Sequence, residues 1–218
     1  MARMLQKLFA ALIIALVPAL LLTACSLPFG EDDAADNEAV SASGGNGEIP
    51  GVLLDNPGAA PDFTLIDHEG EPMSLSDLDG QIVAIFFGYT GCPDICPMTL
   101  GYMAQASEAL GDDASEVAYL LVTVDPEQDD PDRLAQYISR IDAPITALTG
   151  NRADLEQVWD DYDITVERRD RDNGGYLIDH SGQVWIVDQN GDLVMFMPMG
   201  ADGDDLTAAL QSLLDQEG

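Results

Sequence analysis

Cys92 and Cys96 stand in the stretch Phe86-Phe87-Gly88-Tyr89-Thr90-Gly91-Cys92-Pro93-Asp94-Ile95-Cys96-Pro97, between an apolar run and a helical pattern. Two thiols at this spacing can exchange with a disulfide or capture a soft metal ion. A helix N-terminus serves either chemistry. Its unpaired N–H groups and the helix dipole stabilise negative charge, so a thiol there is shifted toward the thiolate, which is both nucleophile and metal ligand. A purely structural bridge across so few residues would remove little chain entropy.

The remaining cysteine has a different setting. Arg3 and Lys7 precede an apolar stretch from about Leu8 to Leu22, followed by Leu22-Thr23-Ala24-Cys25. A charged start, an apolar middle and small residues before a cut site make a secretory leader. The apolar stretch falls short of the ~20 residues that span a bilayer, and Pro18 interrupts it. Leu-Thr-Ala-Cys resembles the lipobox of bacterial lipoproteins, in which the cysteine becomes the lipid-bearing N-terminus. The expectation is therefore a leader over residues 1–24, with Cys25 the lipidated residue. The protein would be exported and lipid-anchored to the cell membrane, with its domain facing the periplasm or outside. Disulfides form in such a compartment, so Cys92 and Cys96 are free to cycle.

Residues 25–60 carry Gly44-Gly45-Asn46-Gly47, many acidic residues and few large hydrophobes. They read as a flexible tether. Residues 61–218 hold recurrent apolar runs and suffice for one domain with a sizeable core. Loss of the leader leaves six arginines, no lysine and all 40 acidic residues. That balance excludes a nonspecific nucleic-acid binder, and attraction to anionic lipid would come only through the anchor. An acidic, lysine-free surface also fits a salty medium, which screens self-repulsion.

The elements around the cysteines read as α/β. Asp62–Asp67 alternates, turns at His68-Glu69-Gly70 and resumes at Met73-Ser74-Leu75, predicting an N-terminal hairpin with His68 a solvated turn residue. Gln81–Phe87 is a continuous apolar run suited to a strand buried on both faces. Pro97 to Leu110 predicts a helix opened by Pro97 and ended by Gly111. Val117–Val124 predicts a second buried strand, stopped by Asp125-Pro126, and Pro131–Ile141 a helix with Leu134, Ile138 and Ile141 on one face. Leu155 and Val158-Trp159 belong to a short helix. Val184–Val187 and Leu193–Met197 flank the Asn190-Gly191 hairpin turn. A closing helix over Asp204–Leu214 turns Leu206, Ala209, Leu210 and Leu213 inward. This order predicts a thioredoxin-like fold, a central mixed β-sheet flanked by helices, with the hairpin as an N-terminal extension.

Phe87-Gly88-Tyr89-Thr90-x-Cys92-Pro93-Asp94-x-Cys96-Pro97 resembles the signature of the Sco/SenC family, exported copper-handling proteins of cytochrome oxidase assembly. The resemblance continues in Thr123-Val124-Asp125-Pro126-Glu127-x-Asp129, in Leu148-Thr149-Gly150 and in Tyr176-x-x-Asp179-His180-Ser181, from about Pro61 to the C-terminus. Thioredoxins place two residues between their cysteines and a cis-proline before the third core strand. This chain has three residues there and offers His180 in place of the proline.

The resemblance implies a copper site of Cys92, Cys96 and His180. Thiolates suit Cu(I), and imidazole suits Cu(II) while tolerating Cu(I), so the trio can hold either state. Zinc is the rival metal, and a structural zinc site would call for a fourth protein ligand. Asp94, Asp125 and Asp179 are the expected supporting residues: Asp94 to tune the thiols and Asp125 to shape a nearby loop. Arg168, Arg169 and Arg171 either dock an acidic partner or pair with Asp163, Asp170 and Asp172. Family members commonly continue Asp-Pro-Glu-Arg-Asp-Thr; here Gln128 replaces the arginine. The implied function is a metallochaperone delivering copper to the dinuclear copper centre of a haem–copper oxidase. The implied partners are that copper-site subunit, other copper chaperones and thiol reductants. The alternatives are a thiol–disulfide reductase, with Cys92 and Cys96 as its catalytic pair, that keeps the target's cysteines reduced, and a copper or redox sensor.

Overall fold

A computed structural model describes residues 50–172 and 174–217. The leader, Cys25 and the tether up to residue 49 lie outside the described residues. Eight strands form one mixed sheet in the order β1-β10-β9-β4-β5-β6-β2-β3. Its centre is β4 (Ile82–Gly88), in which all seven residues are buried. β4 runs parallel to β5 (Val117–Thr123) and antiparallel to β9 (Val184–Val187). The parallel pairing continues from β5 to β6 (Ile145–Thr149). Strands covered on both faces need apolar residues along their length, and β4 and β5 have them up to Thr123 at the end of β5.

Helix α1 (Ile95–Leu110) follows β4 and buries Cys96, Leu100, Met103, Ala106 and Leu110. That spacing makes one helical stripe. Full burial of a Leu or Met side chain stabilises by roughly 1.5–3 kcal/mol. Gly111 ends the helix at φ 59°, a conformation glycine adopts without steric cost. The helix opens two residues earlier than predicted, so Pro97 is its third residue. Pro is still tolerated in this first turn, where N–H groups lack intrahelical partners. α2 (Pro131–Ile138) is capped by Asp130, whose side chain accepts from the Arg133 N–H at 2.8 Å. It stops short of the expected Ile141, because the chain tightens as the Ile141 N–H bonds to the Ile138 carbonyl. α3 (Arg152–Asp161) is capped by Asn151. α4 (Gly203–Glu217) packs on α1 with Leu206, Ala209 and Leu210 buried and Leu213 partly so.

The predicted N-terminal hairpin is β2 (Thr64–Asp67) and β3 (Pro72–Ser74), which joins the sheet through β6. The Asn-Gly hairpin is β9 and β10 (Asp192–Met197), with Gly191 at φ 80°. Two further features differ from expectation. Val52–Ala59, assigned to the tether, forms edge strand β1 on β10, with a register irregularity between Leu53 and Gly58. Pro57 and small exposed residues fit an edge strand, and they hide it from an apolar pattern. β7 (Val166–Asp170) and β8 (Tyr176–His180) form a separate two-stranded ribbon that no hydrophobic alternation announced.

Candidate metal centre

β4 ends at Gly88 and delivers the chain into a turn in which the Cys92 N–H bonds to the Tyr89 carbonyl at 3.3 Å. Helix α1 then begins at Ile95, which places Cys96 in its first turn, buried, with Cys92 half-buried beside it. The Cys96 N–H, one of the unpaired donors of the helix start, donates to the Cys92 sulfur at 3.4 Å. His180 arrives on the end of β8, with Nε2 3.6 Å from the Cys96 sulfur. Its Nδ1 is 2.9 Å from the Ser181 carbonyl. That carbonyl can only accept, so Nδ1 carries a proton and orients the ring with Nε2 toward the sulfurs, where it would offer its lone pair to a metal. The three ligand atoms lie within 4.8 Å of one another. Two metal–ligand bonds of about 2.0–2.3 Å each bridge nearly that span.

The two sulfurs are electrostatically unequal. The Cys96 thiol donates to Cys92 and holds its pKa down to about 4; burial opposes this, and His180 and the backbone N–H groups of Asp94 and Cys96 assist. The same interaction, with burial, pushes Cys96 far up. The metal-free pair therefore shares one proton, with the thiolate on the more exposed Cys92 and the thiol on Cys96.

The ring of His180 is bracketed by aromatics. Tyr89 meets it edge-on at 5.9 Å between centroids and Phe86 at 6.2 Å. The Tyr89 hydroxyl also accepts from the buried Ile178 N–H at 3.1 Å. Tyr89 thus ties the strand carrying His180 to the loop carrying Cys92. Asp129 ties the other side of that loop. It is fully buried and accepts from the Thr90 N–H at 3.0 Å, the Thr90 hydroxyl at 2.5 Å and the Thr123 hydroxyl at 2.7 Å. Tyr89, Asp129 and Ser181 all stood in the recognised motifs without being given roles; a polar residue inside a motif was the available signal.

The expected supporting acids are placed differently. Asp94 reaches Cys92 through its backbone N–H, while its carboxylate is exposed and makes no capping bond. Asp125 is buried and accepts from the Tyr176 hydroxyl at 2.8 and 3.0 Å, so it anchors β8 to the end of β5. Burial raises its pKa, and the Tyr176 bond opposes that rise. Asp179 is exposed and paired with Arg169 at 2.7 Å. Adjacent strand residues point to opposite faces, so Asp179 faces away from the His180 ring and does not support the trio. Arg168 pairs with Asp170 as expected and with Glu127 as not expected, and it stacks on Tyr176 at 3.7 Å. His68 is not a solvated turn residue: its Nδ1 accepts from the Ala147 N–H of β6 at 3.3 Å.

The SCO1/SenC family model matches residues 54–215. An SCO2-like protein of Rickettsia conorii is 34% identical over 142 residues, which are 64% of this chain and 69% of that protein. The structure of Bradyrhizobium japonicum ScoI with copper bound is similar at 29% identity and a TM-score of 0.66, over 72% of this chain and 99% of that one. BsSco, described as a member of the Sco family of cytochrome c oxidase assembly proteins, shares the fold at 21% identity and a TM-score of 0.59, over 74% of this chain and 97% of that one. The match takes in both cysteines, His180 and the strands and helix that bring them together, and the chain belongs to the SCO1/SenC family.

Proposed function

We propose that this protein binds copper at Cys92, Cys96 and His180 and hands it to the dinuclear copper centre of a haem–copper oxidase during assembly. The observation that carries the reading is the meeting of two sulfurs and an imidazole nitrogen within 4.8 Å, from segments 84 positions apart. Two soft donors and one intermediate donor suit copper in both oxidation states. Half-burial of Cys92 leaves the site open to a partner on one side. The leader and lipid cysteine would keep the protein outside the cytoplasm and tethered to a membrane, beside a membrane-bound oxidase.

A second reading rests on the inequality of the two thiols. A half-buried thiolate next to a buried thiol is the arrangement a thiol–disulfide reductase uses, attacking with Cys92 and resolving with Cys96. Titration of the reduced protein with Cu(I) and Cu(II), with and without His180→Ala, separates the two. On the copper reading, the substitution removes a ligand and weakens binding by at least tenfold, while disulfide exchange with a small thiol stays within about twofold. Unchanged copper affinity would overturn the assignment of His180.

A further inference from the structure

Acidic residues dominate this chain, 40 against 8 basic ones, yet one pocket has the opposite character. A cleft of about 260 Å³ is lined by Thr90, Arg133, Gln136, Tyr137 and Arg140. It is lined along α2 and just past its end, and by the loop that leads to Cys92, with Thr90 two residues before that cysteine. Every lining side chain is a hydrogen-bond donor, and two are cationic.

Three observations bear on what this pocket could hold. Arg140 makes no ion pair and no side-chain hydrogen bond among the described residues, in a molecule rich in carboxylates. Arg133 is held through Nε, 2.6 Å from the Thr90 hydroxyl and 3.7 Å from Asp129, which leaves both terminal nitrogens for a ligand. The Tyr137 hydroxyl is buried and has no hydrogen-bond partner among the described residues, an arrangement that native structures rarely leave unexplained. Burial raises the Tyr137 pKa, and the Arg140 charge lowers it.

We propose that this pocket binds a carboxylate and thereby presents a carboxylate-bearing disulfide to Cys92. A guanidinium fork matches a carboxylate geometrically. The strongly acidic remainder of the molecule repels multiply charged anions more than a monoanion, which favours a carboxylate over a phosphate. The proposal rests on the thiol chemistry of the pair and not on copper. With a disulfide, the Cys92 thiolate bonds to one ligand sulfur as the ligand S–S bond breaks, and the other half leaves as a thiolate. Cys96 then gives its proton to solvent and displaces the bound half, forming the Cys92–Cys96 disulfide. The two cysteines lose two electrons and the ligand disulfide gains them.

The test measures rates of oxidation of the reduced, metal-free full chain carrying Cys25→Ser, so that only the site thiols react. One reagent is an aromatic disulfide with a carboxylate on each ring. Another is the uncharged dipyridyl disulfide. The third is a short peptide disulfide flanked by aspartates, compared with its alanine counterpart. Arg140→Gln should slow the carboxylate-bearing reagents by about fivefold and leave the uncharged one unchanged. Arg171→Gln, at the tip of the β7–β8 ribbon, makes the same change in net charge and should have no such selectivity. A preference confined to the small disulfide identifies a free small disulfide as the ligand source; one confined to the peptide identifies an acidic side chain beside a partner's cysteine. Equal slowing of all reagents by Arg140→Gln, or equal selectivity from Arg171→Gln, would overturn the proposal. Copper titration of Arg140→Gln should match the parent, so failure here is distinct from failure of the copper reading.

Discussion

Replacing Asp129 tests whether the loop carrying Cys92 is held from beneath. The carboxylate is wholly buried and accepts three hydrogen bonds, two from Thr90 and one from Thr123. Asp129→Ala leaves the Thr90 N–H and the Thr123 hydroxyl as buried donors without that acceptor. Each unsatisfied donor costs about 1–3 kcal/mol. The loss of a buried charge offsets part of this, because its desolvation penalty disappears with it. The Thr90 oxygen still accepts from Arg133 Nε at 2.6 Å, and the Thr123 oxygen from the Asp125 N–H at 2.9 Å. The net expectation is a loss of about 3 kcal/mol. Asp129→Asn keeps one acceptor oxygen for the Thr90 N–H and the Thr123 hydroxyl, so it should cost only about 1–2 kcal/mol. Urea unfolding at pH 7 in about 1 M salt, where repulsion among surface acids is screened to roughly 3 Å, measures both. With m near 2 kcal/mol/M, the alanine variant's midpoint should fall by about 1.5 M. Copper affinity should fall in the same order, because Thr90 precedes Cys92 by two residues. An alanine variant within about 0.5 kcal/mol of the parent, or an asparagine variant as damaged as the alanine one, would refute the argument.

Alkylation of the reduced, metal-free protein by iodoacetamide should label Cys92 well before Cys96, and the rate should hold from pH 8 down to about 5 before falling through about 4. A midpoint near 9 would contradict the shared-proton arrangement. Through Cys92, whose folded pKa is depressed, stability falls as pH drops from about 9 through about 4, and through Cys96, whose folded pKa is raised, it falls as pH rises above about 9. Gly88→Ala would place a Cβ 2.8 Å from a Phe86 ring carbon and 3.1 Å from the Cys96 sulfur. It should cost about 1–3 kcal/mol by overpacking and weaken copper binding more than a cavity-forming change on β9; unchanged affinity in calorimetry would count against close packing behind that sulfur.

The thiol chemistry was legible in the chain because its determinants are local. A continuous apolar run, three residues between cysteines and a helical pattern ended by Gly111 define strand, loop and helix within thirty residues. The Asn190-Gly191 turn was legible for the same reason. Residues 52–59 were not, because an edge strand interrupted by Pro57 buries little and leaves no alternation to read. The β7–β8 ribbon was not, because Glu167, Arg168 and Arg169 are exposed and their strand is defined by pairing alone. Asp129 sits in an acidic run that reads as solvated loop, and only the folded chain shows it closed over by Thr90 and Thr123.

The sequence by itself determined that two thiols would meet at a helix start, since chain connectivity keeps residues four apart together whatever the rest of the fold does. It did not determine that His180 would join them. Bringing an imidazole across 84 residues depends on the Tyr89–Ile178 and Tyr176–Asp125 bonds that seat an exposed ribbon against β4 and β5. Those bonds exist only once the sheet is assembled, because each joins groups far apart in the chain at distances that packing alone sets.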